Sequence, residues 1–380
     1  MIARRRARDI PLVAALLVGL MGCALPRGIE AARVLGDIAA VDGPSDLKAA
    51  TPAPSRAPVA YEIAGRAHDG DLYRPGEAAR AAIVLVPGVA ETGKDDRRLV
   101  AFAKTLARAR FLVLVPDIGA LRALKVRAAD AREIADAVAY LATARRPENA
   151  GPIGIAAISY AVGPALIAAL EPDLRERLDF FVGIGGYHDI EAVVTFFTTG
   201  YYRDAPGGAW RHRAPNAYGK WVFVKSNVDH VQDAADRAAL DEMARRKMIR
   251  LHADVADLVA GLGAEGRAIH ALLENQDPER VPGLIAGLPA GIRAEMAALD
   301  LAARDLGTLG ARFILVHGVE DDIIPASESR ALAAALDGRA DLFLVDGFGH
   351  VGTEPGAFGA FALWRAIYRL LELRDGVAAG

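Results

Sequence analysis

The most informative part of this chain is the stretch Ile153-Gly154-Ile155-Ala156-Ala157-Ile158-Ser159-Tyr160-Ala161-Val162-Gly163. Its apolar first half is typical of a strand buried in a parallel sheet, and the small residues after Ser159 lead into a helical pattern. A serine on a sharp turn from strand to helix stands clear of its own backbone at the carboxyl edge of the sheet, where ligand crevices form. The pattern therefore predicts that Ser159 is a nucleophile.

Similar apolar runs recur along the chain and alternate with helical patterns. Runs at 81–86, 111–115, 180–184, 313–316 and 341–345 predict further strands, and a strand from Val59 is expected to turn back at Asp69-Gly70. Strands that alternate with helices imply a mostly parallel sheet with helices on both faces. Between 188 and 311 only helical periodicity continues, which predicts an all-helical insertion.

Two later loops carry an acid and an imidazole. They are His317-Gly318-Val319-Glu320-Asp321-Asp322-Ile323-Ile324-Pro325 and Gly347-Phe348-Gly349-His350-Val351-Gly352. Each follows a predicted strand, so a parallel sheet would bring Asp321 and His350 to the same edge as Ser159. Glu320 and Asp322 are alternatives to Asp321, whereas His317 fits a structural role because it ends a strand beside a glycine. The simpler interpretation of Ser159 and His350 is a polar residue at a strand end and a surface histidine.

With these motifs in the order Ser, Asp, His, the chain resembles the serine α/β-hydrolases. The acid loop resembles the family pattern H-G-x-x-D-x-x-[VI]-P, which matches Asp321, and His350 matches the terminal G-H loop. The resemblance implies the α/β-hydrolase fold over residues 59–187 and 312–374, with a helical cap at 188–311. It also implies a triad of Ser159, His350 and Asp321, with the backbone N–H groups of Val89 and Tyr160 as the oxyanion hole.

The elbow departs from the family's G-x-S-x-G, because Ala157 and Ala161 replace both glycines. Each alanine adds one methyl group beside a strained backbone. The oxyanion loop reads Pro87-Gly88-Val89-Ala90 instead of H-G-G. The resemblance implies hydrolysis of small carboxylic esters with an apolar acyl or aryl group, through an acyl-enzyme and without a cofactor. The two alanines keep an alternative open, a catalytically silent α/β-hydrolase-like lipoprotein that binds a ligand or a protein partner.

The N-terminus resembles a bacterial lipoprotein signal. A cluster of four arginines at 4–8 precedes an apolar run that ends in Leu20-Met21-Gly22-Cys23, which is similar to a lipobox. Cys23 is the only cysteine, so we expect removal of residues 1–22 and lipidation of Cys23; an uncleaved signal anchor is the alternative. Residues 23–58 are predicted to form a flexible tether, because their end is rich in proline. Ala24, in place of aspartate, implies anchoring at the periplasmic face of the outer membrane in a bacterial cell envelope.

Composition limits the remaining classes of function. The chain has 380 residues, of which 53 % are hydrophobic, so it can bury a large core; its net charge of −3 argues against nucleic-acid binding. The stretch Gly88–Asp95 nearly matches a P-loop, but Asp95 stands where a hydroxyl must bind Mg²⁺. Five histidines fall in the insertion without metal-ligand spacing, so no metal site is predicted.

Overall fold

The structure, a computed structural model, describes residues 10–144, 151–347, 349 and 357–376, with side chains from Leu25 onward. Its strands are β1 (Ser55–Ile63), β2 (Arg66–Arg74), β3 (Ala81–Val86), β4 (Phe111–Pro116), β5 (Ile153–Ile158), β6 (Phe180–Ile184), β7 (Tyr201–Tyr202), β8 (Arg211–His212), β9 (Arg312–Gly318) and β10 (Ala340–Val345).

Eight of these strands form one sheet in the order β1-β2-β4-β3-β5-β6-β9-β10. The pairs from β4 to β10 are parallel, whereas β2 is antiparallel to both β1 and β4. The mostly parallel sheet expected from the sequence is therefore confirmed. From β3 the chain moves to β4 on one side and then to β5 on the other. This reversal opens a crevice at the carboxyl ends of β3 and β5.

Helices cover both faces of the sheet. They are α1 (Ile10–Ala40), α2 (Asp46–Ala50), α3 (Arg97–Arg108), α4 (Gly119–Arg122), α5 (Asp130–Ala144), α6 (Val162–Leu170), α7 (Pro172–Arg175), α8 (Ile190–Thr199), α9 (Tyr218–Asn227), α10 (Ala234–Ile249), α11 (Ala256–Val259), α12 (Ala264–Leu273), α13 (Val281–Ala286), α14 (Ala290–Leu299), α15 (Ala326–Ala335) and α16 (Ala357–Arg374).

Strand β3 shows why the central strands are continuous apolar runs. Its residues alternate between two cores: Ala82, Val84 and Val86 pack on the side of α5 and α6, and the other three pack on the side of α1, α3 and α16. Because every residue of β3 is buried, a polar side chain on either face would lose hydration without a compensating bond. This double burial holds the strand ends rigidly at the crevice.

The segment between β6 and β9 contains α8 to α14, and the apolar core on the α6 side continues into it without a break. The prediction of an all-helical insertion needs one correction, because β7 and β8 form a short antiparallel hairpin within it. Two residues per strand are too few to produce an alternating pattern, so helical periodicity dominates the sequence there.

The predicted flexible tether over 23–58 is wrong. Residues 24–40 belong to α1, and Ala31, Val34 and Leu47 are buried against the sheet's second core. The indole of Trp364 in α16 donates a hydrogen bond to the Gly28 carbonyl at 2.9 Å. The prolines that suggested a tether lie only at the end of this segment. Pro58 is in the edge strand β1, a position that tolerates a missing N–H.

The first hairpin also turns earlier than predicted. Its turn is Ala64-Gly65, both with positive φ (51° and 76°), which suits a tight two-residue connection. Gly70 instead lies inside β2, where a Cβ atom would come within 2.8 Å of the Val115 carbonyl oxygen. Close approach to a neighbouring strand, and not a turn, accounts for that glycine.

No helix within the described ranges is both long enough and apolar enough to cross a bilayer.

Candidate active site

Ser159 lies on a strained turn between β5 and α6. The strand ends at Ile158, one turn of 3₁₀ helix spans Ser159–Ala161, and α6 begins at Val162. The φ angle of Ser159 is +59°, in the left-handed region that costs a residue other than glycine about 1–3 kcal/mol. Such strain persists only where the surroundings impose it. The turn therefore presents the Ser159 side chain at the crevice, as the sequence predicts for a nucleophile.

The two alanines that replace the usual glycines fit the turn. Ala157 and Ala161 are both fully buried, so the core around the elbow accommodates their methyl groups. The glycine requirement lies instead at Gly163, where a Cβ atom would meet the Tyr187 hydroxyl at 2.0 Å. The elbow thus keeps its backbone conformation although its small residues differ from the family pattern, with alanine at 157 and 161 and glycine at 163.

Asp321 lies on the loop after β9 and is only 2 % exposed. Its Oδ1 atom accepts hydrogen bonds from the backbone N–H groups of Ile323 (2.8 Å) and Ile324 (2.9 Å). These bonds hold the carboxylate in one orientation. Asp321 is also close enough to Tyr160, next to the nucleophile, for its charge to act on the phenol.

The two alternatives to Asp321 point elsewhere. Asp322 has its carboxylate 3.5 Å from the Asn216 side-chain amide. The Glu320 carboxylate accepts a hydrogen bond from the Gly347 N–H at 2.8 Å, which joins the acid loop to the start of the loop after β10. Both therefore serve contacts between segments, whereas Asp321 is the acid buried at the sheet edge.

His317 is a structural residue in this geometry. Its Nε2 lies 2.9 Å from the Ile324 carbonyl oxygen and its Nδ1 lies 2.7 Å from the Ser329 hydroxyl. The Ile324 carbonyl can only accept, so Nε2 is the donor in that contact; the same nitrogen lies 3.5 Å from the Asp321 carboxylate. His317 thereby fixes the backbone that holds Asp321.

Sequence reasoning missed the residues of the insertion that hold the acid loop. The Arg213 guanidinium donates to the carbonyl oxygens of Val319 (2.7 Å) and Asp321 (3.1 Å). The Asn216 N–H donates to the Asp322 carbonyl at 2.7 Å. No local signal marks these residues, because they lie about a hundred positions before the loop they bind.

The other residues predicted for the site are Val89, Tyr160 and His350, and Cys23 is predicted to be lipidated. Val89 is on the loop after β3, and its neighbour Gly88 lies against Ile158, so this loop borders the elbow. Tyr160 follows Ser159 in the 3₁₀ turn. His350 falls outside the described residues; β10 ends at Val345 on the same edge of the sheet. Cys23 lies within the backbone of α1, ahead of the described side chains.

A cavity of about 50 Å³ adjoins the elbow under α8, α9 and α14. Tyr160 and Tyr187 line it, with ring centroids 6.4 Å apart. Burial raises the pKa of Tyr160, and the charge of Asp321 raises it further, so the phenol stays neutral. A larger opening of about 750 Å³ lies away from the elbow, between α8 and α15.

In the part of the chain that the structure describes, no group of three His, Cys, Asp or Glu side chains could hold a metal ion. Lys94, the lysine of the near P-loop, lies 3.2 Å from the Asp71 carboxylate. It is therefore engaged in an ion pair at the base of its loop.

This architecture is the α/β-hydrolase fold. The structure is similar to that of a hydrolase from Legionella pneumophila, with a TM-score of 0.53 and 12 % identity, over 84 % of this chain and 89 % of that one. It is also similar to the α/β-hydrolase GrgF from Penicillium (TM-score 0.49, 14 % identity, 85 % of this chain and 98 % of that one). A third similar structure is a puromycin-hydrolyzing peptidase from Mycobacterium tuberculosis (TM-score 0.47, 13 % identity, 84 % of this chain), of which the chain spans only 39 %. No protein-family model and no curated protein matches the sequence.

Proposed function

We propose that this protein is a serine hydrolase that cleaves carboxylic esters through an acyl-enzyme. The observation that carries the proposal is the left-handed backbone of Ser159, +59° in φ, at the point where the strand order reverses. Positive φ at Ala64 serves a hairpin turn, whereas at Ser159 it lies between a buried strand and a helix beside the crevice, which is the position of a nucleophile elbow.

In the proposed reaction, Ser159 Oγ attacks the acyl carbon and His350 accepts its proton. His350 then protonates the departing alkoxide, and water releases the acyl group by the same route in reverse. Asp321 orients and stabilises the imidazolium, in keeping with its two backbone hydrogen bonds. The N–H groups of Val89 and Tyr160 stabilise the oxyanion.

The cavity beside Tyr160 supports a substrate with an apolar acyl or aryl group. Residues of α8 and α9 that line it include Val193, Phe197 and Val222. Apolar walls beside the elbow favour apolar groups and would exclude water from the reaction.

A fluorophosphonate probe tests the proposal, because it labels an activated serine and leaves an idle one unmodified. We expect the wild-type protein to be labelled and to hydrolyse p-nitrophenyl esters, and Ser159→Ala to lose several powers of ten in kcat/KM. Ser55→Ala, which removes an exposed hydroxyl, serves as the control and should react like wild type. An unlabelled wild-type protein would support the silent, ligand-binding alternative, and Ser159→Ala with more than about a tenth of wild-type kcat/KM would exclude Ser159 as the nucleophile.

We also propose that Cys23 is lipidated and anchors the protein at the periplasmic face of a bacterial outer membrane. The support is the Leu20-Met21-Gly22-Cys23 motif, the single cysteine and Ala24.

A further inference from the structure

The cavity beside the elbow contains two buried polar atoms that have no partner among the residues that the structure describes. The Tyr160 hydroxyl and the Asn227 Oδ1 atom are both inaccessible to solvent, and neither makes a hydrogen bond within the described ranges. Both residues line the same cavity, Tyr160 from the elbow and Asn227 from the end of α9. A buried polar atom without a bond destabilises a fold more than a satisfied one stabilises it. The arrangement therefore calls for an explanation.

Other polar groups around the same cavity do make hydrogen bonds, so the fold leaves room for such bonds there. The amide nitrogen of the same Asn227 donates to the Phe223 carbonyl at 2.9 Å. Tyr187, on the opposite wall, donates its hydroxyl to the Leu299 carbonyl at 3.1 Å. The Ser226 hydroxyl accepts from the Val126 N–H at 3.0 Å. The two unpartnered atoms are thus exceptions among cavity residues that are otherwise satisfied.

The unpartnered atoms have complementary roles. The Tyr160 hydroxyl can donate a proton, and the Asn227 Oδ1 atom can only accept one. A hydroxyl group accepts and donates at once, whereas an ether or ketone oxygen cannot donate to Asn227. A charged group is disfavoured, because the other lining side chains are mostly apolar and no ion pair is offered there.

We propose that the cavity selects a short acyl group that carries a hydroxyl, held by Tyr160 and Asn227. This inference rests on the proposed serine hydrolase activity, since it places the acyl group against Tyr160, the residue that follows Ser159. The cavity volume of about 50 Å³ suits a chain of few carbons. Tyr160 would then act twice, through its N–H on the oxyanion and through its hydroxyl on the acyl group.

A matched pair of esters tests the selection. We expect kcat/KM for p-nitrophenyl 3-hydroxybutyrate to exceed that for p-nitrophenyl butyrate by about tenfold or more. Tyr160→Phe and the nearly isosteric Asn227→Leu should each lower this ratio by about five- to tenfold. Equal rates on both members of a pair in a protein that reacts with fluorophosphonate would overturn this inference alone. Absence of both labelling and hydrolysis would overturn the proposed function and this inference with it.

A stability measurement tests the unpartnered hydroxyl without any substrate. Tyr160→Phe should leave Tm unchanged or raise it, because it removes a polar atom that makes no bond. The matched variant Tyr187→Phe should lower Tm, because it breaks the bond to Leu299. If Tyr160→Phe lowers Tm as much as Tyr187→Phe does, the hydroxyl is bonded within the fold and the proposal is wrong.

Discussion

Among the individual residues, Ser159 has a backbone conformation that limits the size of the side chains around it. Its positive φ is held by close packing, with Ala157 and Ala161 fully buried on either side and Gly163 in contact with Tyr187. Small side chains are needed at these positions because the turn brings β5, α6 and the loop after β6 together. Glycine is required only where a Cβ atom has no room at all.

Asp321→Asn should lower kcat by about 10³–10⁴-fold, while Asp322→Asn changes it by less than tenfold. In the proposed triad, the first change removes the charge that would fix the histidine tautomer; the magnitude is borrowed from the corresponding substitution in chymotrypsin-like proteases. Asparagine keeps an oxygen for the Ile323 and Ile324 N–H groups, so Tm should stay close to wild type. Steady-state kinetics on one p-nitrophenyl ester check both variants. A larger loss of kcat in Asp322→Asn than in Asp321→Asn would assign the catalytic acid to Asp322.

Among the elements, α1 is the one whose role differs most from expectation. It packs on α3 and α16, and its Asp37 is buried, with the Thr105 hydroxyl of α3 donating to it at 2.6 Å. Burial opposes ionisation of Asp37, but hydrogen bonds from Lys48, Ser45 and Thr105 outweigh it and lower the pKa of this carboxyl. An element with such contacts is part of the folded domain.

Glu30→Ala should lower the free energy of unfolding by about 2 kcal/mol. Glu30 pairs with Arg374 of α16, whose Nη2 donates to it at 3.0 Å and whose side chain is fully buried. Removing the partner of a buried cation leaves part of its charge uncompensated. Urea unfolding measures the effect, and Arg33→Ala, on the exposed side of α1, is the control expected within about 0.5 kcal/mol of wild type. Equal stability of the two variants would mean that α1 does not contribute to the fold.

In the whole molecule, the candidate site is assembled from distant parts of the chain. The elbow follows β5, the oxyanion loop follows β3, and the acid loop follows β9 and is bound by Arg213 of the insertion. The insertion is therefore more than a cover over the crevice, because it also holds the backbone of the acid. If the proposed triad is correct, substitutions in the insertion that shift the acid loop should lower kcat without touching substrate.

Cys23→Ser should release the protein from membranes into a soluble periplasmic form or block removal of the signal segment. Each acyl methylene buried in a bilayer contributes about 0.8 kcal/mol, so two or three acyl chains hold a protein stably at the membrane. A protein without acyl chains has no such anchor. Fractionation of a Gram-negative host and the intact mass of the mature chain measure the outcome, and Ala24→Asp is the matched variant, expected to stay lipidated but move to the inner membrane. A wild-type mature mass without acyl chains would contradict the proposal. Since α1 packs against α16 from Gly28 onward, an anchored domain would lie close to the bilayer.

Local patterns in the sequence were sufficient for the parallel strands β3, β4, β5, β6, β9 and β10 and for the turn that carries Ser159. Burial on both faces demands an apolar run such as 81–86, and a nucleophile turn demands small residues around Ser159. These requirements act between residues that are neighbours in the chain, so the order of residues records them directly. The order Ser, Asp, His added the resemblance that implied the α/β-hydrolase fold, although the position of His350 stays a prediction.

Only the tertiary structure revealed the packing of α1, the hold of Arg213 on the acid loop and the unpartnered pair Tyr160 and Asn227. Each depends on contacts between segments that are far apart in sequence and meet only when the sheet is complete. Gly70 illustrates the difference: a glycine beside an aspartate predicts a turn, but the approach of Val115 from another strand is what requires it. A side chain's neighbours across the fold, which no local pattern contains, determine whether it turns the chain, packs or binds.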